Sequence, residues 1–277
     1  MHSGYVAFLD VLGFSSLVAN DRDGDLINEY LAALSTALKP ESGTVGQNDY
    51  LVFSDSIVVT SLGGEPDHLR QLVRSCSYLF GELLKRGIAM RGAISYGQYL
   101  SNSTGKGRFV AGKAIVEAYS FEERQDWVGI MLAPSVVKHF KTLPTQSQLS
   151  HIPARPQDIA AWVGPHAETS RFFAAYVQPC NEIPFHSEPG GPINYAGYAI
   201  VPTSGDYRLR SVSESLRQSI AQLETLKIQA PDPIAQRKYD RTLKWLRGVA
   251  SHWHEAFSIA SNVTEPQLRG LLTPHIG

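Results

Sequence analysis

Short apolar runs alternate with longer amphipathic stretches along the first half of this chain. Val6 to Leu9 (VAFL) is wholly apolar, the pattern of a strand buried on both faces. After a DVLGF turn, Leu26, Ile27, Tyr30, Leu31, Leu34 and Leu38 recur at helical spacing, and Pro40 stops that helix. A Gly-rich, polar link from Glu41 to Asp49 leads into YLVF, then Ser54-Asp55, then SIVVTS. Two β-rich runs around so short a break predict a hairpin with Ser54 and Asp55 at its tip. Pro66 opens a second long helix, with Leu69, Leu72, Val73, Cys76, Leu79, Phe80, Leu83 and Leu84 as its apolar stripe and Gly87 as its C-cap. IAMRGAISYG then reads as a strand, SNSTGKG as a loop, GKAIVEAYSFEE as a helix and WVGIML as a further strand.

The order β-α-β-β-α-β, followed by another α and β, predicts an α+β fold. It is the ferredoxin-like split βαβ arrangement, an antiparallel sheet covered by helices. Residues 1–140 are expected to form this core. Residues 141–277 are expected to form a C-terminal α/β extension, packed on the core or completing it. Its pattern is weaker: Pro-rich loops, strands at FFAAYV and YAIVPT, and helices over Ser213–Lys227 and Pro233–Phe257.

Composition narrows the function classes. The chain has 277 residues, 43% hydrophobic and 18% charged, with a net charge of −1. There is no broad basic field to hold nucleic acid or an anionic membrane, so no partner of either kind is expected. A phosphate-bearing ligand would have to be held by a few placed groups and by metal ions. Cys76 and Cys180 make no disulfide framework, which fits a reduced setting. The apolar N-terminal run has no basic leader and is interrupted by Asp10, and no stretch is long enough to span a bilayer. A cytoplasmic location is expected.

The candidate chemistry lies at Asp10 and Asp55. In a split βαβ sheet the first strand lies between the other central strands, so a strand end and a hairpin tip can meet. Two carboxylates there repel unless they are protonated or bridged by a cation. Mg²⁺ or Mn²⁺ suits hard oxygen ligands and leaves sites for water and phosphates. Either aspartate alone would equally suit a helix cap or a turn. Their joint presentation by apolar strands is what points to a site.

The segment Phe8-Leu9-Asp10-Val11-Leu12-Gly13-Phe14 resembles the first metal-binding motif of class III adenylyl and guanylyl cyclases, and Phe53-Ser54-Asp55-Ser56-Ile57 resembles their second. Met90 to Gly97 (MRGAISYG) resembles the strand that follows, and Gly112-Lys113-Ala114-Ile115 the start of the helix carrying their transition-state residues. The likeness covers roughly residues 4–140. It implies two divalent cations, Mg²⁺ or Mn²⁺, held by Asp10, Asp55 and the backbone carbonyl of Val11. It implies that backbone amides of Leu12, Gly13, Phe14 and Ser15 cradle the β- and γ-phosphates, as free N–H groups at a helix start do. The 3′-hydroxyl of a nucleoside triphosphate then attacks the α-phosphate and pyrophosphate leaves, one metal activating the hydroxyl and the other neutralising the triphosphate. A head-to-tail homodimer is also implied, with the aspartates from one subunit and the base-reading residues from the other. Control is expected to come from a separate signal.

This sequence departs from the purine cyclases. Leu51 stands where they carry the base-reading Lys, four residues before the second aspartate, and Phe109 stands at the partner Asp position. Val116 and Ser120 fall near their transition-state Asn and Arg. The FLDxLGF opening, the RG-A/G-I strand and a C-terminal extension resemble the bacterial pyrimidine nucleotide cyclases of anti-phage defence, the Pycsar cyclases. That implies UTP, less readily CTP, as substrate, and a cyclic UMP or cyclic CMP product that acts on a separate effector protein. The alternatives are a purine cyclase or a catalytically inert, nucleotide-sensing module of the same fold. The Gly-Gly-Asp/Glu-Glu-Phe signature of diguanylate cyclases is absent.

Tyr50, beside Leu51, can donate to and accept from a base and narrow its pocket, or it can be a sheet-packing tyrosine. Arg91 can stabilise charge on the phosphates, or it can pair with a neighbouring carboxylate. Lys106 and Lys113 flank the loop before the third helix as phosphate contacts or as solvated lysines. The GKG at 105–107 lacks the Walker frame. His252 and His254, two apart on a helix, point to different faces and make no metal pair.

Overall fold

The computed structural model describes residues 1–38, 48–104, 107–139, 176–187, 191–203 and 209–261. Among them the chain runs β1 (His2–Val11), α1 (Phe14–Asn20), α2 (Asp25–Ala37), β2 (Asp49–Phe53), β3 (Ser56–Thr60), α3 (Pro66–Lys85), β4 (Met90–Thr104) and β5 (Gly107–Gly112). It continues through α4 (Lys113–Glu123), β6 (Gly129–Leu132), α5 (Pro134–His139), β7 (Val177–Ser187), β8 (Gly191–Ile200), α6 (Leu209–Gln229) and α7 (Pro233–Ser261). The fold is α+β. One sheet has the order β2-β3-β1-β4-β6-β8-β7, with β5 paired to the outer length of β4.

β1 lies between β3 and β4 and is antiparallel to both, the split βαβ order. β4 and β6 run parallel, so the sheet is mixed where an antiparallel one was expected. The reason is the α4 crossover, which returns the chain to the end of the sheet from which β4 began. β4 runs on to Thr104 and so takes in much of what reads as a loop in sequence, paired there with β5. Pairing in an outer hairpin uses the backbone, and polar Ser, Asn and Thr positions do not prevent it. The short helices α1 and α5 also escape the pattern, since six or seven residues hold too few helical repeats to read.

The core is built by alternation. Tyr5, Ala7, Leu9 and Val11 of β1 point to one face, where they meet the stripe of α3 and Tyr30, Ala33, Leu34 and Ala37 of α2. All eight stripe residues of α3 from Leu69 to Leu84 are fully buried. Each large apolar side chain so placed stabilises by ~1.5–3 kcal/mol. Gly87, at φ 72°, ends the helix. The Ile88 N–H donates to Leu83 O at 2.9 Å and the Gly87 N–H to Leu84 O at 3.0 Å, closing the orphan carbonyls. On the other face α4 lays Ala114 and Ile115 over Val6, Phe8, Val58 and Tyr99.

The second half is continuous with this sheet, because β8 pairs with β6. The strand expected at FFAAYV begins at Val177 and runs on to Ser187, and residues 172–175 lie outside the described region. Thr242 of α7 accepts from the Val128 N–H at 3.0 Å and donates to its carbonyl at 2.7 Å. Ser77 of α3 donates to Val201 O at 2.6 Å. These bonds tie α7 to the start of β6 and α3 to the segment after β8. Cys76 and Cys180 are both buried. Among the described residues no helix is long and apolar enough to cross a membrane.

Candidate active site

Asp10 stands one residue from the end of β1, opposite Ser56 of β3 and Arg91 of β4. Asp55 is in the two-residue turn between β2 and β3. The hairpin tip is tied to the strand end, because the Val11 N–H donates to Asp55 O at 3.0 Å. Ser54 beside it takes a left-handed conformation at φ 55°, which makes the turn tight. Gly92 lets β1 and β4 close on each other. A Cβ there would lie 2.5 Å from Leu9 Cδ2 and 2.8 Å from Phe8 O.

The electrostatics follow from that convergence. The Asp10 carboxyl is pushed above its ordinary pKa by burial first and by the charge of Asp55 second, with Arg91 opposing. Among the described residues no cluster of three or more His, Cys, Asp and Glu side chains gathers. The protein therefore offers a pair of carboxylates here, a donor set suited to an oxygen-loving cation that keeps other positions for water and phosphate.

Arg91 makes the carboxylate pairing that its position in an apolar strand left open. Its Nε donates to Glu122 Oε1 at 2.5 Å, and one terminal nitrogen donates to Gln125 O at 2.9 Å. Glu122, on α4, is almost wholly buried. Burial raises its pKa, Arg91 lowers it, and Asp10 raises it in turn. Arg91 is thus held in place by α4 while its charge acts on Asp10.

Of the amides of Leu12, Gly13, Phe14 and Ser15 expected to cradle phosphates, that of Leu12 is already engaged within the fold. The Leu12 N–H donates to Ala89 O at 2.9 Å and is spent on the sheet. Gly13 turns the chain at φ 75° into α1. The first intrahelical bond runs from the Leu17 N–H to Gly13 O at 3.0 Å. The amides of Gly13, Phe14 and Ser15 precede it, where helix geometry provides no intrahelical acceptor.

Tyr50 and Lys113 stand apart from the two aspartates within the single chain. Tyr50 is paired with Val59, so the pleat puts its side chain on the face covered by α2 and α3, whereas Leu51 and Phe53 share the face of Asp10. Tyr50 is 40% exposed at the edge of the sheet, and a place next to the aspartates is not where the strand delivers it. Lys113 starts α4 beside Tyr99, which pairs with His2, at the far end of β1 from Asp10. Eight residues of strand separate those ends, roughly 26 Å. Lys113 lines a cleft of 530 Å³ there with Met1, Gln98, Val116, Glu117 and Ser120. Lys106 lies outside the described residues, as do the side chains of His252 and His254.

Tyr30 was not singled out by its sequence position, yet it belongs to this end of the sheet. It is 2% exposed, and its hydroxyl has no hydrogen-bond partner among the described residues. Burial, then Asp55 and Asp10, push its pKa up to about 12. The signal in sequence is small: one phenol in an otherwise aliphatic helix stripe.

No family model and no curated protein matches the chain. Among solved structures it is similar to a guanylyl cyclase domain of the RhoGC fusion protein from the aquatic fungus Blastocladiella emersonii, with 13% identity, 51% of this chain and 85% of that one covered, and a TM-score of 0.40. It is similar to the adenylyl cyclase CyaB from P. aeruginosa, with 13% identity, coverage of 72% and 93%, and a TM-score of 0.41. For an adenylate cyclase from Trypanosoma brucei the values are 11%, 72%, 90% and 0.42. The likeness is one of fold.

Proposed function

We propose that this protein is a nucleotidyl cyclase that converts a pyrimidine nucleoside triphosphate, UTP before CTP, into its 3′,5′-cyclic monophosphate and pyrophosphate. The observation that carries the reading is the meeting of Asp10 and Asp55, each within a segment that resembles a class III cyclase motif, through the Val11–Asp55 backbone bond. Burial and then the charge of Asp55 push the Asp10 carboxyl above its ordinary pKa, which favours a bound cation over an empty site. Asp10, Asp55 and the Val11 carbonyl would hold Mg²⁺ or Mn²⁺, two ions in the full site. When bound, such ions supply Lewis-acid activation of the attacking hydroxyl and neutralise triphosphate charge.

The chain's own groups do the rest. The amides of Gly13, Phe14 and Ser15 bind phosphate oxygens and orient the triphosphate. Arg91, fixed by Glu122 at 2.5 Å, sets a positive charge beside Asp10 that opposes the rise in its pKa caused by burial and Asp55. Leu51, Phe109, Val116 and Ser120 stand where purine cyclases place base-reading and transition-state groups, which supports a smaller base. Tyr50, exposed at the open edge of the sheet, is the group proposed to bond that base, in the site whose aspartates the other subunit supplies. Phe53, Val116 and Tyr119 are exposed apolar side chains (78%, 63% and 45%), which supports a homodimer that completes the site. The product would act as a second messenger on a separate effector in anti-phage defence.

The test is a product assay. Purified protein is incubated with ATP, GTP, CTP or UTP and Mn²⁺, beside Asp55→Ala, and products are resolved by chromatography and mass. A cyclic pyrimidine monophosphate that disappears in the variant is the expected result. Cyclic AMP or cyclic GMP would overturn the pyrimidine assignment. Absence of any cyclic product would favour an inert nucleotide-sensing module, a reading that the loss of the usual Asn and Arg at Val116 and Ser120 already motivates.

A further inference from the structure

Tyr30 stands out from the other buried tyrosines. Tyr5 donates to Gly64 O at 3.0 Å and Tyr99 donates to Ser61 O, but the hydroxyl of Tyr30 is buried in the core without a partner among the described residues. The ring is well placed on packing grounds. It lies among Ala33, Leu34 and Ala37 in the main core and meets Phe14 edge-on at 5.7 Å. A phenylalanine would fill the same space and leave no polar atom dry, so the ring explains the residue's size and not its oxygen. The charged groups acting on that oxygen are Asp55 and Asp10.

Its direction of approach matters. Asp10 shares a face with Phe8 and Arg91, whereas α2 brings Tyr30 up from the opposite layer. The phenol therefore packs at this end of the sheet from the layer opposite Arg91 and Glu122. Carboxylates only accept hydrogen bonds, and neither accepts one from Tyr30 here. Mg²⁺ and Mn²⁺ held by a pair of carboxylates retain several waters, whose protons need acceptors. A phenol oxygen at that place accepts such a proton and still has its own to give.

We infer that Tyr30 is a positioning residue of the cation site, its hydroxyl hydrogen-bonded to a water molecule carried by the divalent ion between Asp10 and Asp55. This rests on the reading that those aspartates hold such an ion. Tyr30 touches no substrate. It fixes the hydration shell of the metal, and with it the orientation of the carboxylates, the role that outer partners play at metal sites in general.

The experiment is a Mn²⁺ titration of the full chain without nucleotide, followed by electron paramagnetic resonance of the free ion, with thermal melts of the same samples. Tyr30→Phe should weaken Mn²⁺ binding by about 10-fold or more. Its melting temperature without metal should equal or exceed that of the wild type, since a dry hydroxyl is removed, and its gain on adding Mn²⁺ should shrink. Tyr5→Phe should behave in the opposite way, melting lower without metal and binding Mn²⁺ as the wild type does. An unchanged Mn²⁺ affinity in Tyr30→Phe would overturn the inference and leave the cation site standing. A Tyr30→Phe protein destabilised without metal would also overturn it, because the hydroxyl would then have had a partner within the fold. A wild type that binds no Mn²⁺ would overturn both the inference and the reading beneath it.

Discussion

Val11 donates its backbone N–H to the carbonyl of Asp55 at 3.0 Å, and this bond makes one site of two sequence motifs. It joins the end of β1 to the tip of the β2–β3 hairpin, so the neighbouring Asp10 carboxylate and that of Asp55 share one environment. Burial first, and the charge of Asp55 second, push the Asp10 carboxyl above its ordinary pKa. The arrangement is held together by the sheet and held in tension by its charges, which is how a cation site is prepared in advance of the cation.

The tension predicts a pH dependence. A carboxyl whose folded pKa is raised stabilises the fold while protonated, and that contribution is lost as pH rises through the folded value. Without divalent ions, Asp10→Asn should therefore melt above the wild type at pH 7, by about 2 °C or more. The gap should close on acidification to about pH 4, near the ordinary range of aspartate. Adding Mn²⁺ should reverse the order at pH 7. Thermal melts across this range decide it; a variant that melts lower at every pH would mean that Asp10 has a structural partner.

Arg91 and Glu122 predict a double-variant cycle. Both are largely buried, at 16% and 4% side-chain exposure. Removing one partner alone, as in Glu122→Leu, should destabilise by ~3 kcal/mol, because a buried charge is left uncompensated. Arg91→Met with Glu122→Leu should recover most of that in urea denaturation. Cyclase activity should stay low in the double variant if the charge of Arg91 serves Asp10 as well as the fold.

Two glycines of the site should fail for different reasons. Gly92→Ala puts a methyl group within 2.8 Å of the Phe8 carbonyl, where backbone must shift, and should cost ~1–3 kcal/mol. Gly13→Ala meets nothing within 4 Å but sits at φ 75°, so only the left-handed backbone is strained. That should cost ~1–2 kcal/mol and lower triphosphate affinity through the turn. Denaturation curves and nucleotide binding, measured together, separate the two.

The exposed apolar face of α4 predicts the oligomer. Val116→Arg places a charge on a residue that is 63% exposed in the single chain, so folding should be unaffected. Light scattering should find the wild type dimeric and the variant monomeric. Its cyclase activity should fall by about 100-fold or more with Mn²⁺ binding retained. A variant that stays dimeric and active would remove α4 from the interface.

Much of this protein was legible in order along the chain. Hydrophobic periodicity is a local property, and it sufficed for VAFL as a doubly buried strand, for the α3 stripe and its Gly87 stop, and for Ser54 and Asp55 at a hairpin tip. Contacts between distant segments are another matter. Arg91 could have served phosphate or a carboxylate, and its Glu122 partner lies 31 residues away on a crossover helix that periodicity alone does not dock. The parallel pairing of β4 with β6 depends on that same crossover. Tyr50 and Leu51 are adjacent in sequence, yet pleating sends them to opposite faces, a choice made by the register with Val59 and Val58. Tyr30 reads in sequence as one more apolar position of a helix. Only the packing of α2 behind the β1 end sets its hydroxyl, buried and without a partner among the described residues, in the field of Asp55 and Asp10. Local pattern determined the elements and the motif aspartates; which groups face one another across the sheet was decided by register and helix docking, where burial and charge act between residues far apart in the chain.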